Sequence, residues 1–170
     1  MCEIPQGRDL VEERRGDRHG ARQHGANELG VGGHLRVVGD AGQRRGAAFL
    51  GGKSLGGRIA SHLVAKGLPA RGLVFLGYPL HPPGKPGTDR AGHLQSVKIP
   101  MLFMQGTNDE FATLDLLRPT VKSLGKRATL VLAAHADHAF HVRASSGSND
   151  AAVMTRLLDE SAAWMHALVA

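Results

Sequence analysis

From residue 47 onward, short apolar runs alternate with stretches of helical periodicity, and this alternation restricts the fold more than any other feature of the chain. The runs fall at residues 47–50, 73–76, 101–104 and 129–133. Each is too short for a helix, and the first three are bounded by glycine, proline or glutamine, the pattern of a buried strand. Between the first two, Leu55, Ile59 and Leu63 recur at four-residue intervals on one helical face, and Gly67 ends the helix. A second helix is expected from near Thr113, past Pro119, to Leu124 and Gly125. A third starts near Asn149 or Asp150 and turns Val153, Leu157, Leu158, Trp164, Met165 and Leu168 toward the sheet. The reading is an α/β fold with a mostly parallel sheet and flanking helices. Residues 77–100 contain Pro79, Pro82, Pro83 and Pro86 with several glycines, so a loop is expected there rather than a cap domain. A site at that end of the sheet would be open.

Three polar signals stand where such runs end. Gly52-Lys53-Ser54-Leu55-Gly56 fits G-x-S-x-G, a strand-to-helix turn that lifts a serine clear of the sheet and needs small flanking residues. Gly106-Thr107-Asn108-Asp109 and Ala136-Asp137-His138 follow the later runs. Open α/β sheets place their sites at the carboxyl ends of strands. A serine hydroxyl is a weak nucleophile at neutral pH and needs a base, which in turn needs an anion to fix its tautomer. Ser54, His138 and Asp109 supply those three chemistries in chain order Ser, Asp, His. The amide of Leu55, just after the serine and at a helix start, would be one oxyanion donor.

The first 46 residues differ in kind. They hold ten Gly, eight Arg and three His, with no lysine and no aromatic residue. Their only strand-like stretch is Leu35-Arg36-Val37-Val38. Such a segment buries little and is expected to be poorly ordered, which divides the chain into residues 1–46 and a partial α/β domain at 47–170. The net charge of +6 raises nucleic-acid binding, but the excess is scattered and only 4% of residues are aromatic. No run approaches a membrane span or a signal-peptide core, and Cys2 is the single cysteine. A soluble cytoplasmic protein is expected, with no cofactor and no metal, acting on a small molecule without nucleic-acid or membrane partners. The oligomeric state stays open.

Several segments together carry a family resemblance. They are residues 51–61 around Ser54, Leu76-Gly77-Tyr78-Pro79-Leu80-His81-Pro82-Pro83-Gly84-Lys85-Pro86, Arg90-Ala91-Gly92-His93-Leu94, Gln105-Gly106-Thr107-Asn108-Asp109-Glu110-Phe111 and Asp137-His138-Ala139-Phe140. Residues 47–170 resemble the small bacterial α/β-hydrolases of the dienelactone-hydrolase-like group, which includes the KANSL- and Tex-type hydrolase domains. The resemblance implies Ser54 as nucleophile, Asp109 as acid, His138 as base, and an ester or related acyl substrate. A complete member would carry about four strands and two helices before the nucleophile. Residues 1–46 are too few and too Gly- and Arg-rich for that, as a mis-assigned start or shifted frame would explain. The strand before Ser54 is then expected to lack partners on one side, and the second oxyanion donor to be missing. His24-Gly25-Ala26-Asn27 resembles a His-Gly oxyanion segment but follows no strand, so it is read as coincidence.

Other readings compete. Residues 47–54 resemble a loosened phosphate-binding loop in which Lys53 would meet phosphates and Ser54 a magnesium ion. Asp109 could be a solvated turn residue beside Asn108. His135, His138 and His141 have a spacing that could hold zinc on a helix. Lys53 and Arg58 read as solvated flanks of the turn or as contacts for an anionic substrate. The fold could also persist as a catalytically inactive hydrolase-like fragment or an interaction module.

Overall fold

The structure is a computed structural model, and it describes residues 48–170 together with the backbone of residues 35–38. The expectation of poor order for residues 1–46, and the reading of His24-Gly25, lie outside the described residues, apart from that one strand. Five strands form one sheet in the order β1 (Leu35–Val38), β2 (Phe49–Lys53), β3 (Gly72–Leu76), β4 (Met101–Gly106) and β5 (Ala128–Ala133). Strands β2 to β5 are parallel, whereas β1 runs antiparallel to β2. The expectation of an unpaired flank on β2 is therefore corrected. The β1 ladder pairs Phe49 to Gly52 with Val38 to Leu35 and covers that edge.

Side-chain alternation along the strands sorts the core onto two faces. Leu73, Phe75, Met101 and Phe103 point to one face, with Leu50, Ala60, Leu117 and Val121. Leu102, Met104 and Ala133 point to the other, with Phe140, Val142, Val153 and Leu157. Helices α1 (Leu55–Ala65) and α2 (Leu114–Ser123) cover the first face, and α3 (Asp150–Ala167) covers the second. The result is three layers, with the sheet between helices.

Two details of helix packing differ from the sequence reading. In α1 the buried positions are Gly56, Gly57, Ala60 and Ser61, while Leu55 is 43% exposed. The sheet selects the small face because α1 lies very close to β2. A Cβ on Gly52 would sit 2.7 Å from the Gly56 carbonyl carbon, and one on Gly57 would sit 2.9 Å from the Gly52 carbonyl oxygen. In α3, Val153 and Leu157 are buried as expected, but Leu158 is 59% exposed, one position round the helix from the packed face. Trp164 reaches the sheet, edge-on to Phe49 at 5.9 Å.

Residues 77–100 form a connection without a cap, but much of it is buried. Tyr78, Leu80, Ala91, Leu94 and Val97 enter the first core, and Asp89–Ser96 forms a 3₁₀ helix. The Tyr78 hydroxyl donates to the Arg90 carbonyl at 2.7 Å, and burial pushes its phenol up to about 12. Ser61 Oγ meets His93 Nε2 at 2.7 Å, and the His62 ring stacks on His93 at 3.6 Å. Desolvation, with the charges of His62 and Arg58, holds His93 down to about 4. Among the described residues, no helix is long and apolar enough to cross a membrane.

The close approach of α1 predicts that Gly52→Ala destabilises the fold by about 1–3 kcal/mol, because backbone rather than a flexible side chain blocks the added methyl. Leu55→Ala, at an exposed position, should stay within about 0.5 kcal/mol of wild type. Equal thermal melting of wild type and Gly52→Ala would contradict this packing.

Candidate active site

The serine stands at a strained strand-to-helix turn. Ser54 follows the last residue of β2, precedes α1, and has φ 51° and ψ −118°, a sparsely populated conformation for a residue with a side chain. Such a conformation costs on the order of 1–3 kcal/mol and persists only where the surroundings enforce it. Here the Ser54 amide donates to the Leu76 carbonyl at 3.0 Å, and the Ser54 carbonyl accepts from Arg58 N–H at 3.3 Å. The turn leaves Leu55 as the first helical residue, so its N–H has no intrahelical acceptor.

The structure brings Ser54, Asp109 and His138 together from three strand ends. His138 Nδ1 lies 2.7 Å from Asp109 Oδ2, and His138 Nε2 lies 2.9 Å from Ser54 Oγ. A carboxylate oxygen only accepts, so the network assigns the ring hydrogen to Nδ1. Nε2 is then free to accept the serine hydroxyl hydrogen. Asp109 is 3% exposed, while Asn108 beside it is exposed and donates from Nδ2 to the His135 carbonyl at 3.1 Å. The solvated-turn reading thus fits Asn108 and not Asp109. The Phe111 ring lies 4.3 Å from the His138 ring.

Backbone contacts set the distance between the acid and histidine loops. Thr107 N–H donates to the Ala133 carbonyl at 3.0 Å and Asn108 N–H to the Ala136 carbonyl at 2.9 Å. His135 N–H donates to Thr107 Oγ1 at 2.7 Å. Gly106 must be glycine, because a Cβ there would fall onto the carbonyl oxygens of Ala136 and Asp137. Gly77, at φ +68°, lies beneath His138, where a Cβ would come within 3.3 Å of the ring.

Two side chains given no such role in the sequence reading belong to this arrangement. Lys53 Nζ donates to the His138 carbonyl at 2.8 Å, across 85 positions of sequence. Gln105 is fully buried; its Nε2 donates to Asp109 Oδ2, and its Oε1 accepts from Tyr78 N–H at 2.9 Å. An amide in an otherwise apolar strand was the available signal for Gln105. Nothing local marks the partner of Lys53.

The competing motif readings fare differently. Residues 51–53 lie in β2 rather than in a loop of amides, so they do not form a phosphate cradle. The three histidines are divided: His138 faces Asp109 and Ser54, His141 pairs with Asp150, and His135 uses its backbone to bind Thr107 and Asn108.

A family profile described as an alpha/beta hydrolase domain matches residues 15–166, nearly the whole chain. The chain belongs to this α/β-hydrolase family. The match begins inside the Gly- and Arg-rich segment. Among similar solved structures is a dienelactone hydrolase-like promiscuous phosphotriesterase from metagenomic libraries, 19% identical, with a TM-score of 0.51 over 69% of this chain and 51% of that one. A serine hydrolase homologue from Coxiella burnetii is 22% identical, with a TM-score of 0.43 over 53% of this chain and 40% of its own. An esterase domain from a Rhodothermus marinus protein is 13% identical, with a TM-score of 0.44 over 54% of this chain and 52% of its own. The chain thus spans about half the length of these structures or less, and at 19% identity the likeness to the phosphotriesterase is one of fold. Comparison with curated proteins gives no match.

Beside the site, Asp137 Oδ1 accepts from Ala139 N–H at 2.7 Å and His141 N–H at 2.9 Å, which closes the histidine loop. Asp150, at the start of α3, accepts from His141 Nδ1 at 2.9 Å and from Val142 N–H at 2.8 Å. The hydrogen bond from His141, then the charge of Asp150, raises His141 above its ordinary 6.5, and the same bond lowers Asp150 below 3.8. A raised histidine contributes stability below its unfolded value and loses it as pH rises through the folded value; a lowered carboxylate loses its contribution as pH falls. The pair is therefore fully formed between 3.8 and 6.5. His141→Ala should lower the melting temperature more at about pH 5.5 than at about pH 8.5. An equal drop at both values would contradict the ionic pairing.

Proposed function

We propose that the chain is a serine hydrolase acting on ester or related acyl bonds of a small molecule, with residues 47–170 as its working unit. The observation that carries the reading is the unbroken hydrogen-bond chain from Asp109 Oδ2 through His138 to Ser54 Oγ. Ser54 Oγ attacks the acyl carbon while His138 Nε2 takes its proton, and Asp109 stabilises the imidazolium so formed. The oxyanion of the tetrahedral intermediate receives the N–H of Leu55, aided by the positive end of the α1 dipole. Collapse expels the alcohol, which His138 protonates, and leaves an acyl-Ser54 ester. Water, deprotonated by the same histidine, releases the acid and restores the serine. The half-buried Phe111 ring, against His138, offers an apolar surface beside the serine that suits a small acyl group.

A fluorophosphonate probe should label Ser54, and Ser54→Ala should abolish both labelling and hydrolysis of a short-chain p-nitrophenyl ester. Asp109→Asn should lower kcat by about 10⁴-fold, because an amide permits the wrong histidine tautomer. Labelling that survives Ser54→Ala would remove Ser54 as the nucleophile.

A further inference from the structure

We propose that Gln105 is a positioning residue that locks the Asp109 carboxylate in register with His138, an inference that rests on the serine-hydrolase reading above. Strand β4 is buried at every position, and Gln105 is its one polar side chain. An amide there is unfavourable unless both of its ends are paired, and an apolar residue of similar size would fill the space without that demand. Both ends are paired, and the pairing has a fixed direction. A backbone N–H only donates, so Tyr78 N–H at 2.9 Å requires the Gln105 oxygen to face it. The NH₂ group is thereby turned toward Asp109 Oδ2, the same oxygen that accepts His138 Nδ1–H.

Asp109 Oδ1 is occupied as well, by Phe111 N–H at 2.8 Å. The carboxylate is held by three donors, two from its own stretch of chain and one from the histidine loop, so it cannot rotate away from the imidazole without breaking several hydrogen bonds at once. Gln105 also joins Asp109 to the end of β3. Tyr78 follows Gly77, which lies beneath His138 and donates its own N–H to the Met104 carbonyl at 2.8 Å. One buried amide thus ties the floor beneath the histidine to the group that orients it.

Two variants of similar volume test the role, with Ser54 labelling and ester hydrolysis as readouts. Gln105→Met keeps the shape and loses both hydrogen bonds; kcat should fall about 10- to 100-fold with KM within about 2-fold, as expected for lost orientation. Gln105→Glu is isosteric and, buried beside a carboxylate, holds its proton on the oxygen facing Asp109, so it keeps both contacts and should retain more of kcat than Gln105→Met. A packing role alone predicts wild-type kcat in Gln105→Met; that result, or a kcat in Gln105→Glu no higher than in Gln105→Met, would overturn the proposal. A measurement on the wild-type chain needs no variant to fold: in a glutamine-labelled ¹⁵N spectrum, one buried side-chain amide should shift when fluorophosphonate modifies Ser54. An unmoved set of glutamine amides would overturn the proposal too. Labelling of the wild type separates the two layers. A wild type not labelled at Ser54 removes the hydrolase reading and this role with it, whereas a labelled wild type with an equally reactive Gln105→Met variant removes only the role of Gln105.

Discussion

The site depends on the seam where the end of β4 meets the loop after β5. At Gly106 the two backbones approach so closely that no side chain fits, and the carbonyls of Ala133 and Ala136 accept from Thr107 and Asn108 across the gap. The seam fixes one loop against the other before any side chain is considered. Asp109 leaves the first loop and His138 the second, so their 2.7 Å contact is largely a consequence of backbone pairing. Small residues at contact points allow this closeness. The same device operates at Gly52 and Gly57, where α1 closes onto β2 behind Ser54.

Against this rigid background the serine turn can be held in an unfavourable conformation. Ser54 at φ 51° is fixed by its amide bond to Leu76 and by the start of α1. The histidine loop carries similar positive-φ positions at His135 and Phe140, closed by Asp137 and fastened to α3 by the His141–Asp150 pair. Lys53 links the two strained segments through the His138 carbonyl. Local strain is tolerated on both sides of the proposed reaction centre because β4 beneath it is buried at every position, between the two cores.

The parts of this arrangement marked by local chemistry were legible in the sequence. Apolar runs of strand length gave the parallel sheet, and the glycines around Ser54, the Asn108-Asp109 pair and His138 stood where those runs stopped. Contacts distant in sequence were not legible. The pairing of Leu35–Val38 with β2 is antiparallel, which a short apolar stretch does not specify. The proline-rich connection at 77–100 read as an open loop because its composition conceals that Tyr78, Leu80 and Leu94 turn inward. In α1 the aliphatic face was the visible pattern, whereas packing followed the glycines. Gln105 read as the residue that follows an apolar run, and its meaning depends on Tyr78, 27 positions earlier.

The central claim is that Asp109, His138 and Ser54 form one hydrogen-bonded unit in solution. The most direct measurement is the proton NMR spectrum in water of the full chain at neutral pH. A short Nδ1–H bond to a buried carboxylate should give a single histidine resonance far downfield of the amide envelope, and it should disappear in Asp109→Asn and shift when Ser54 is phosphonylated. A spectrum without such a resonance, or one that Asp109→Asn leaves unchanged, would contradict the account.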